Sequence, residues 1–164
     1  MVKEFQQLNE GAIPGKPVVD PVDPTTITSE EKHQALEAVN LIKEKRCGHI
    51  RGRTCANGSK QRQFLKEGES ITSPTVSLEV LLGTLMIDAY EGKDVATFDV
   101  PGAYLHAEMP KDKRVLMRLR GEFIDIMCDV NPKYKKYVQE VNGKKILYLK
   151  VLCALYGCIE SALV

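Results

Sequence analysis

The 164 residues hold no C-x-x-C pair, no glycine-rich phosphate loop and no Ser/His/Asp succession of a hydrolase. Paired-cysteine zinc modules, P-loop nucleotide sites and serine-triad chemistry therefore have no support. No apolar run approaches the ~20 residues of a membrane span. Residues 1–10 lack the basic start and apolar core of a signal peptide. The expectation is a soluble intracellular chain, cytoplasmic or nuclear, with no membrane association. Cysteine is sparse and odd in number (Cys47, Cys55, Cys128, Cys153 and Cys158), which excludes a disulfide scaffold and fits reduced, mostly packed thiols. Cys47, His49 and Cys55 lie near one another in sequence, but without paired spacing or an evident fourth ligand, so zinc is not expected. Internal repeats and long low-complexity runs are absent too.

What is present is enough for one globular domain: 43% hydrophobic and 27% charged residues. The net charge of +1 conceals a segregation of sign. Residues 1–42 carry seven acids and three bases, whereas residues 43–63 carry seven bases (Lys43, Lys45, Arg46, Arg51, Arg53, Lys60, Arg62) and only Glu44. Residues 67–110 return to eight acids against Lys93, and residues 111–164 hold eleven bases and six acids. A basic segment followed by an acidic one suits chemistry on phosphates and metal ions, and equally a set of solvated charged faces.

Prolines at 14, 17, 21 and 24 mark residues 1–27 as a linker or extended arm. Thr28 with Glu31 forms a capping-box pattern, and Ala35, Leu36, Val39 and Ile42 continue at helical spacing, so a helix is expected to run on toward Gly48. Residues 49–56, Asn57-Gly58 and residues 61–65 read as a basic two-stranded ribbon. Ser73-Pro74 offers a helix start, and Val76, Val80, Leu81, Leu85 and Ile87 sustain an apolar helix ended by Gly92, with Leu81, Leu82 and Leu85 assigned to the core. Residues 95–100 read as a strand that carries Asp99 to its end before Pro101-Gly102. Residues 115–119 form a further candidate strand, and Asn142-Gly143 joins two more, residues 137–141 and 145–151. Residues 154–164 are apolar, with helical character after Gly157 and no cap or polar tail, which reads as a chain cut within a domain. Tyr134 and Tyr137 among Lys133, Lys135 and Lys136 fit a solvated face better than a strand-stacking surface. His106 reads as polar surface.

Four blocks carry chemistry together. They are Arg51-Gly52-Arg53-Thr54-Cys55-Ala56-Asn57-Gly58; Ser73-Pro74-Thr75-Val76 with its apolar helix; Asp99-Val100-Pro101-Gly102-Ala103-Tyr104-Leu105; and Leu149-Lys150-Val151-Leu152-Cys153-Ala154-Leu155-Tyr156-Gly157. From about residue 44 onward the chain resembles the reverse transcriptase of copia-type long-terminal-repeat retrotransposons. The first block is similar to the family's K-x-R-x-V-A-x-G, the third to D-V-x-x-A-[FY]-L of palm motif A, and the fourth to L-x-K-A-L-Y-G of motif B.

The resemblance implies an α+β fold, a partial right-hand polymerase comprising fingers and the first part of a palm with an incomplete sheet, over residues 28–164. It implies an RNA template, a DNA primer and a deoxynucleoside triphosphate as partners, and Mg²⁺ or Mn²⁺ as cofactor. Arg51 and Arg53 would neutralise phosphates. Asp99 would be catalytic, bridging two divalent ions about 3.5–4 Å apart, with the Val100 carbonyl as a backbone ligand. Ala103 and Tyr104 would contact the nucleotide, Tyr104 against the sugar where a ribose 2′ hydroxyl is excluded. Two departures limit this. Glu160 stands where the family has glutamine, and the Y-x-D-D motif that supplies the remaining metal carboxylates does not occur in these residues. The expectation is an element that does not polymerise alone, binds metal weakly or not at all and leaves apolar core surface exposed, open to aggregation. The alternatives are a non-catalytic nucleic-acid-binding module using Arg51, Arg53, Lys60 and Arg62, and a retroelement remnant without function.

Overall fold

A computed structural model describes residues 1–64, 75–110 and 113–162. The Ser73-Pro74 pair and the side chains of Arg62 and Glu160 lie outside that description. The architecture is mixed α+β. Among the described residues, six strands form one sheet in the order β1 (Val19–Pro21), β6 (Lys144–Val151), β4 (Leu116–Arg120), β2 (Leu36–Glu44), β3 (Ile50–Asn57), with β5 (Gln139–Val141) paired to the start of β6. The β2–β4 pair is parallel and only two residues long, Leu36↔Met117 and Glu37↔Arg118; the other pairs are antiparallel.

Strand periodicity divides the core. Successive side chains of a strand point to opposite faces, and β6 sends Leu147, Leu149 and Val151 into one cluster and Tyr148 into another. β4 does the same, with Met117 and Leu119 on the first side and Leu116 on the second. The larger cluster is covered by helix α1 (Val2–Glu10) through Phe5 and Leu8 and by α5 (Phe123–Val130) through Ile124, Met127 and Cys128. The smaller one is closed by Val22, Ile27 and Ala35, which flank the short helix α2 (Ser29–Gln34). Asn142 and Gly143 turn between β5 and β6 at φ 52° and 71°, the hairpin expected from that dipeptide.

Several expectations are corrected. Residues 1–27 are not an extended arm: α1 buries Phe5 to 1% exposure, and β1 is a sheet strand whose Val19 pairs with Val151. Proline is compatible with this because Pro21 ends an edge strand, where no amide is needed. The capping box at Thr28 forms, its hydroxyl accepting the Glu31 amide and the Glu31 carboxylate accepting the Thr28 amide. The helix nevertheless stops at Gln34 and the chain becomes β2, because residues 36–44 gain an eight-residue ladder with β3 that a continued helix would forgo. The first strand of the expected ribbon forms as β3, but its partner is β2 and not residues 61–65: the hairpin turn is residues 45–49, closed by the Lys45 amide donating to the His49 carbonyl, and Asn57-Gly58 instead leads into a 3₁₀ turn, Gly58–Phe64. Tyr134 is wholly buried, its hydroxyl donating to Asn9, and burial pushes its phenol well above the usual range.

Helix α3 (Leu78–Tyr90) forms behind Ser77, whose side chain accepts the Val80 amide. None of its residues is buried: Leu81, Leu82 and Leu85 are 45%, 51% and 39% exposed, so their assignment to the core is overturned among the described residues. Residues 95–100 are irregular and exposed rather than a strand, since no described strand lies alongside to pair with them. Strand structure needs a partner ladder; β-branched composition alone does not supply one. None of the five cysteines is in a disulfide, and burial pushes the thiols of Cys55, Cys128 and Cys153 up. No described helix is long and apolar enough to cross a membrane.

Candidate nucleotide and nucleic-acid site

Four stretches of chain far apart in sequence meet at one cavity of ≈ 420 Å³. β3 contributes Arg51 and Arg53, two residues apart and hence on the same side of the strand. The segment entering helix α4 (Ala103–His106) contributes Asp99, Val100, Pro101 and Gly102. The segment after β6 contributes Leu155 and Tyr156, and α1 closes the cavity with Glu4 and Gln7.

Backbone bonds fix this convergence. Leaving α4, the Met109 amide donates to the Leu152 carbonyl at 2.9 Å and the Ala154 amide to the Ala107 carbonyl at 2.8 Å, which ties the motif around Asp99 to the strand exit of β6. The Ala56 amide then donates to the Tyr156 carbonyl at 2.8 Å, and the Gly58 amide to the Gly157 carbonyl at 3.0 Å, so the segment after β6 lies along the end of β3. Gly157 is required at that crossing: its φ is +86°, and a Cβ there would sit 2.1 Å from the Ala56 carbonyl oxygen. The buried Leu105 anchors α4 in the main core cluster.

The side chains extend the junction. The Arg53 guanidinium lies 4.3 Å from the centroid of the Tyr156 ring, and the Tyr104 ring meets Tyr156 edge-on at 4.8 Å and 73°. Arg51 is exposed and Arg53 half-buried, so both keep their charge in reach of solvent. Glu4 is the second carboxylate of the cavity wall, with one oxygen accepting the Thr54 amide at 2.8 Å. Thr54, wholly buried, donates its hydroxyl to Asn40 on β2 and so pins β3 in place.

Of the residues singled out from sequence, Arg51, Arg53, Asp99 and Val100 share the cavity, and Tyr104 reaches its edge through Tyr156. Ala103 is exposed and does not line it. Two carboxylates and one backbone carbonyl are the oxygen donors named on the cavity wall. Asp99 is one carboxylate, Glu4 is engaged by the Thr54 amide, and the Val100 carbonyl already accepts the Ala103 amide at 3.2 Å. Among the described residues no three His, Cys, Asp or Glu side chains are grouped to hold an ion. Paired cations with one aromatic platform suit an anionic, ring-bearing ligand, which is the chemistry of a nucleotide or a nucleic-acid strand. Sequence reading missed Glu4 and Gln7, although Phe5 and Leu8 at i and i+3 carried the signal for α1. It contained Tyr156 within a motif but gave it no role.

Comparison of the chain with protein-family models, with curated proteins and with solved structures finds no match.

Proposed function

We propose that this chain is the fingers and first palm portion of a copia-type RNA-directed DNA polymerase, and that the cavity between β3, residues 99–102 and Tyr156 is its site for template–primer and deoxynucleoside triphosphate. One observation carries the reading: Arg51, Arg53, Asp99, Val100 and Tyr156, taken from three separate motif blocks, line a single cavity. The arginines neutralise phosphate, Asp99 is the carboxylate that the family's motif A presents, and Tyr104 stands beside the base and sugar space. Polymerisation in the family requires the Y-x-D-D carboxylates, a motif that does not occur in these residues, so the chain alone does not extend a primer.

The test has two arms. Binding of a labelled RNA–DNA hybrid is expected to weaken with salt, and Arg51→Ala with Arg53→Ala to reduce the slope of log affinity against log salt by about 1–2. Primer extension with Mg²⁺ or Mn²⁺ is expected to be absent. Hybrid affinity that ignores both arginines would sink the site assignment, and extension abolished by Asp99→Asn would overturn the inactivity while keeping the polymerase reading. A non-catalytic nucleic-acid-binding module is the second reading, favoured by the exposed cations Lys43, Lys45, Arg46 and Arg51 along the β2–β3 ribbon. Retention of hybrid affinity by Asp99→Asn together with loss in a ribbon-tip variant, Lys45→Ala with Arg46→Ala, would select it.

A further inference from the structure

We infer that Tyr156 is a positioning residue: its ring holds the Arg53 guanidinium toward the cavity and couples it to the segment that carries Asp99. The ligand named in the test rests on the polymerase reading; the geometry does not. Tyr156 is the residue at which three of the four cavity-forming stretches touch: its own segment, β3 and the segment of Tyr104. Its carbonyl accepts the Ala56 amide, its ring face receives Arg53 at 4.3 Å, and its ring edge meets Tyr104 at 4.8 Å. Leu155 before it is buried and Gly157 after it is locked against Ala56, so the ring is held from both sides along the chain. Among the described residues, ion pairs are made by Arg114, Arg118 and Arg120, and Arg53 makes none. The stack on Tyr156 is thus what sets its direction. A long side chain has several rotatable bonds, and a planar guanidinium lying on an aromatic face gives up much of that freedom before the ligand arrives.

The consequence is that Arg53 and Tyr156 act as one unit. Cation–π attraction at a partly exposed site corresponds to about a two- to fivefold effect on an equilibrium constant. Tyr156→Leu is expected to weaken binding of a fluorescein-labelled RNA–DNA hybrid by that factor. Tyr156→Phe, which keeps the ring, is expected to bind as the unaltered chain does. Arg53→Lys, which keeps the charge but has no plane to stack, is expected to fall with Tyr156→Leu. The double variant Arg53→Lys with Tyr156→Leu should lose no more than either single change, since the second substitution removes a contact already gone.

A second readout needs no ligand. The Arg53 Nε–H proton resonance should carry an upfield ring-current shift that survives Tyr156→Phe and disappears in Tyr156→Leu. If the unaltered chain does not bind the hybrid, the functional reading fails, and this resonance still judges the positioning. An Arg53 resonance indifferent to Tyr156→Leu would overturn the inference, as would fully additive losses in the double variant. If Tyr156→Leu does not fold, Arg53→Lys decides: affinity equal to that of the unaltered chain overturns the inference, and the expected loss supports it.

Discussion

Helices α1 and α3 make opposite use of apolar residues. α1 is mostly polar, yet Phe5 and Leu8 stand at i and i+3 and both are buried against the sheet and α5. α3, LEVLLGTLMIDAY, is far more apolar and buries nothing among the described residues. The difference is one of pattern. A helix with a single stripe is satisfied by one partner surface, whereas a helix apolar all round requires enclosure. In the described body, α1 and α5 cover one face of the sheet around β4 and β6 and residues around α2 cover the other, α3 belongs to neither cluster, and the far end of the β2–β3 ribbon likewise leaves Leu41, Ile42 and Ile50 exposed. Residues 93–100, which follow α3 and include Asp99, share its exposure. The cavity therefore joins a well-packed half, β3 and Tyr156, to a half held by its attachment at residues 102–109.

Substitutions can break this contrast or sharpen it. Phe5→Ala should cost about 3–5 kcal/mol, the range for deleting a buried aromatic side chain, whereas Leu81→Ala should stay within about 0.5 kcal/mol as exposed changes do. Urea unfolding followed by circular dichroism measures both, and equal losses would show that α3 is packed as tightly as α1. Gly157→Ala tests how far the packed half extends. The forced left-handed backbone alone costs about 1–3 kcal/mol, and the 2.1 Å approach to Ala56 adds to it, so the unfolding midpoint should drop clearly. If it does not, the end of β3 and the segment after β6 are not joined.

Smaller effects sharpen the picture on the exposed side. Leu82→Lys with Leu85→Lys should leave stability within about 0.5 kcal/mol per site and lower concentration-dependent scattering, because the apolar surface driving self-association is removed. Increased scattering would mean that another surface drives it. The smallest effect concerns the cap of α2. The Thr28 amide, then its hydroxyl and Arg114, hold the Glu31 carboxyl below the usual carboxylate range. A depressed acid contributes stability above its unfolded pKa, and that contribution is lost as pH falls through the lower folded value. Glu31→Gln should therefore flatten the decline of the urea midpoint on acidification below about pH 4.3. An unchanged profile would show that the cap does not contribute to acid sensitivity.

Much of the sheet was legible from the sequence, and the reasons for the misses are physical. The β5–β6 hairpin announced itself through Asn142-Gly143, and β4 through its apolar run, because both depend on local chemistry and near neighbours. The Thr28–Glu31 capping box was equally local and formed as read. Its helix was over-extended because Leu36, Val39 and Ile42 fit a helical spacing, while pairing with β3, a tertiary fact, decided for strand. The reverse error came at residues 95–100, where strand-like composition met no partner among the described residues. At the site, Arg51, Arg53, Asp99 and Val100 were visible as motif positions. Glu4 was not, because only the packing of Phe5 and Leu8 brings α1 to β3.

The pairing of β1 with β6 has a kinetic consequence. Val19 meets Val151 and Pro21 meets Leu149, so β1 waits for nearly the whole described chain to follow it before its ladder can close. Contacts of such long sequence separation slow folding, because loop closure must precede any gain from pairing. Until residue 151 emerges, α1 and β1 have neither their strand partner nor the core beneath them. Nascent chains stalled before β6 should thus be cut by protease within residues 1–27, and chains stalled well past Gly157 should be protected there.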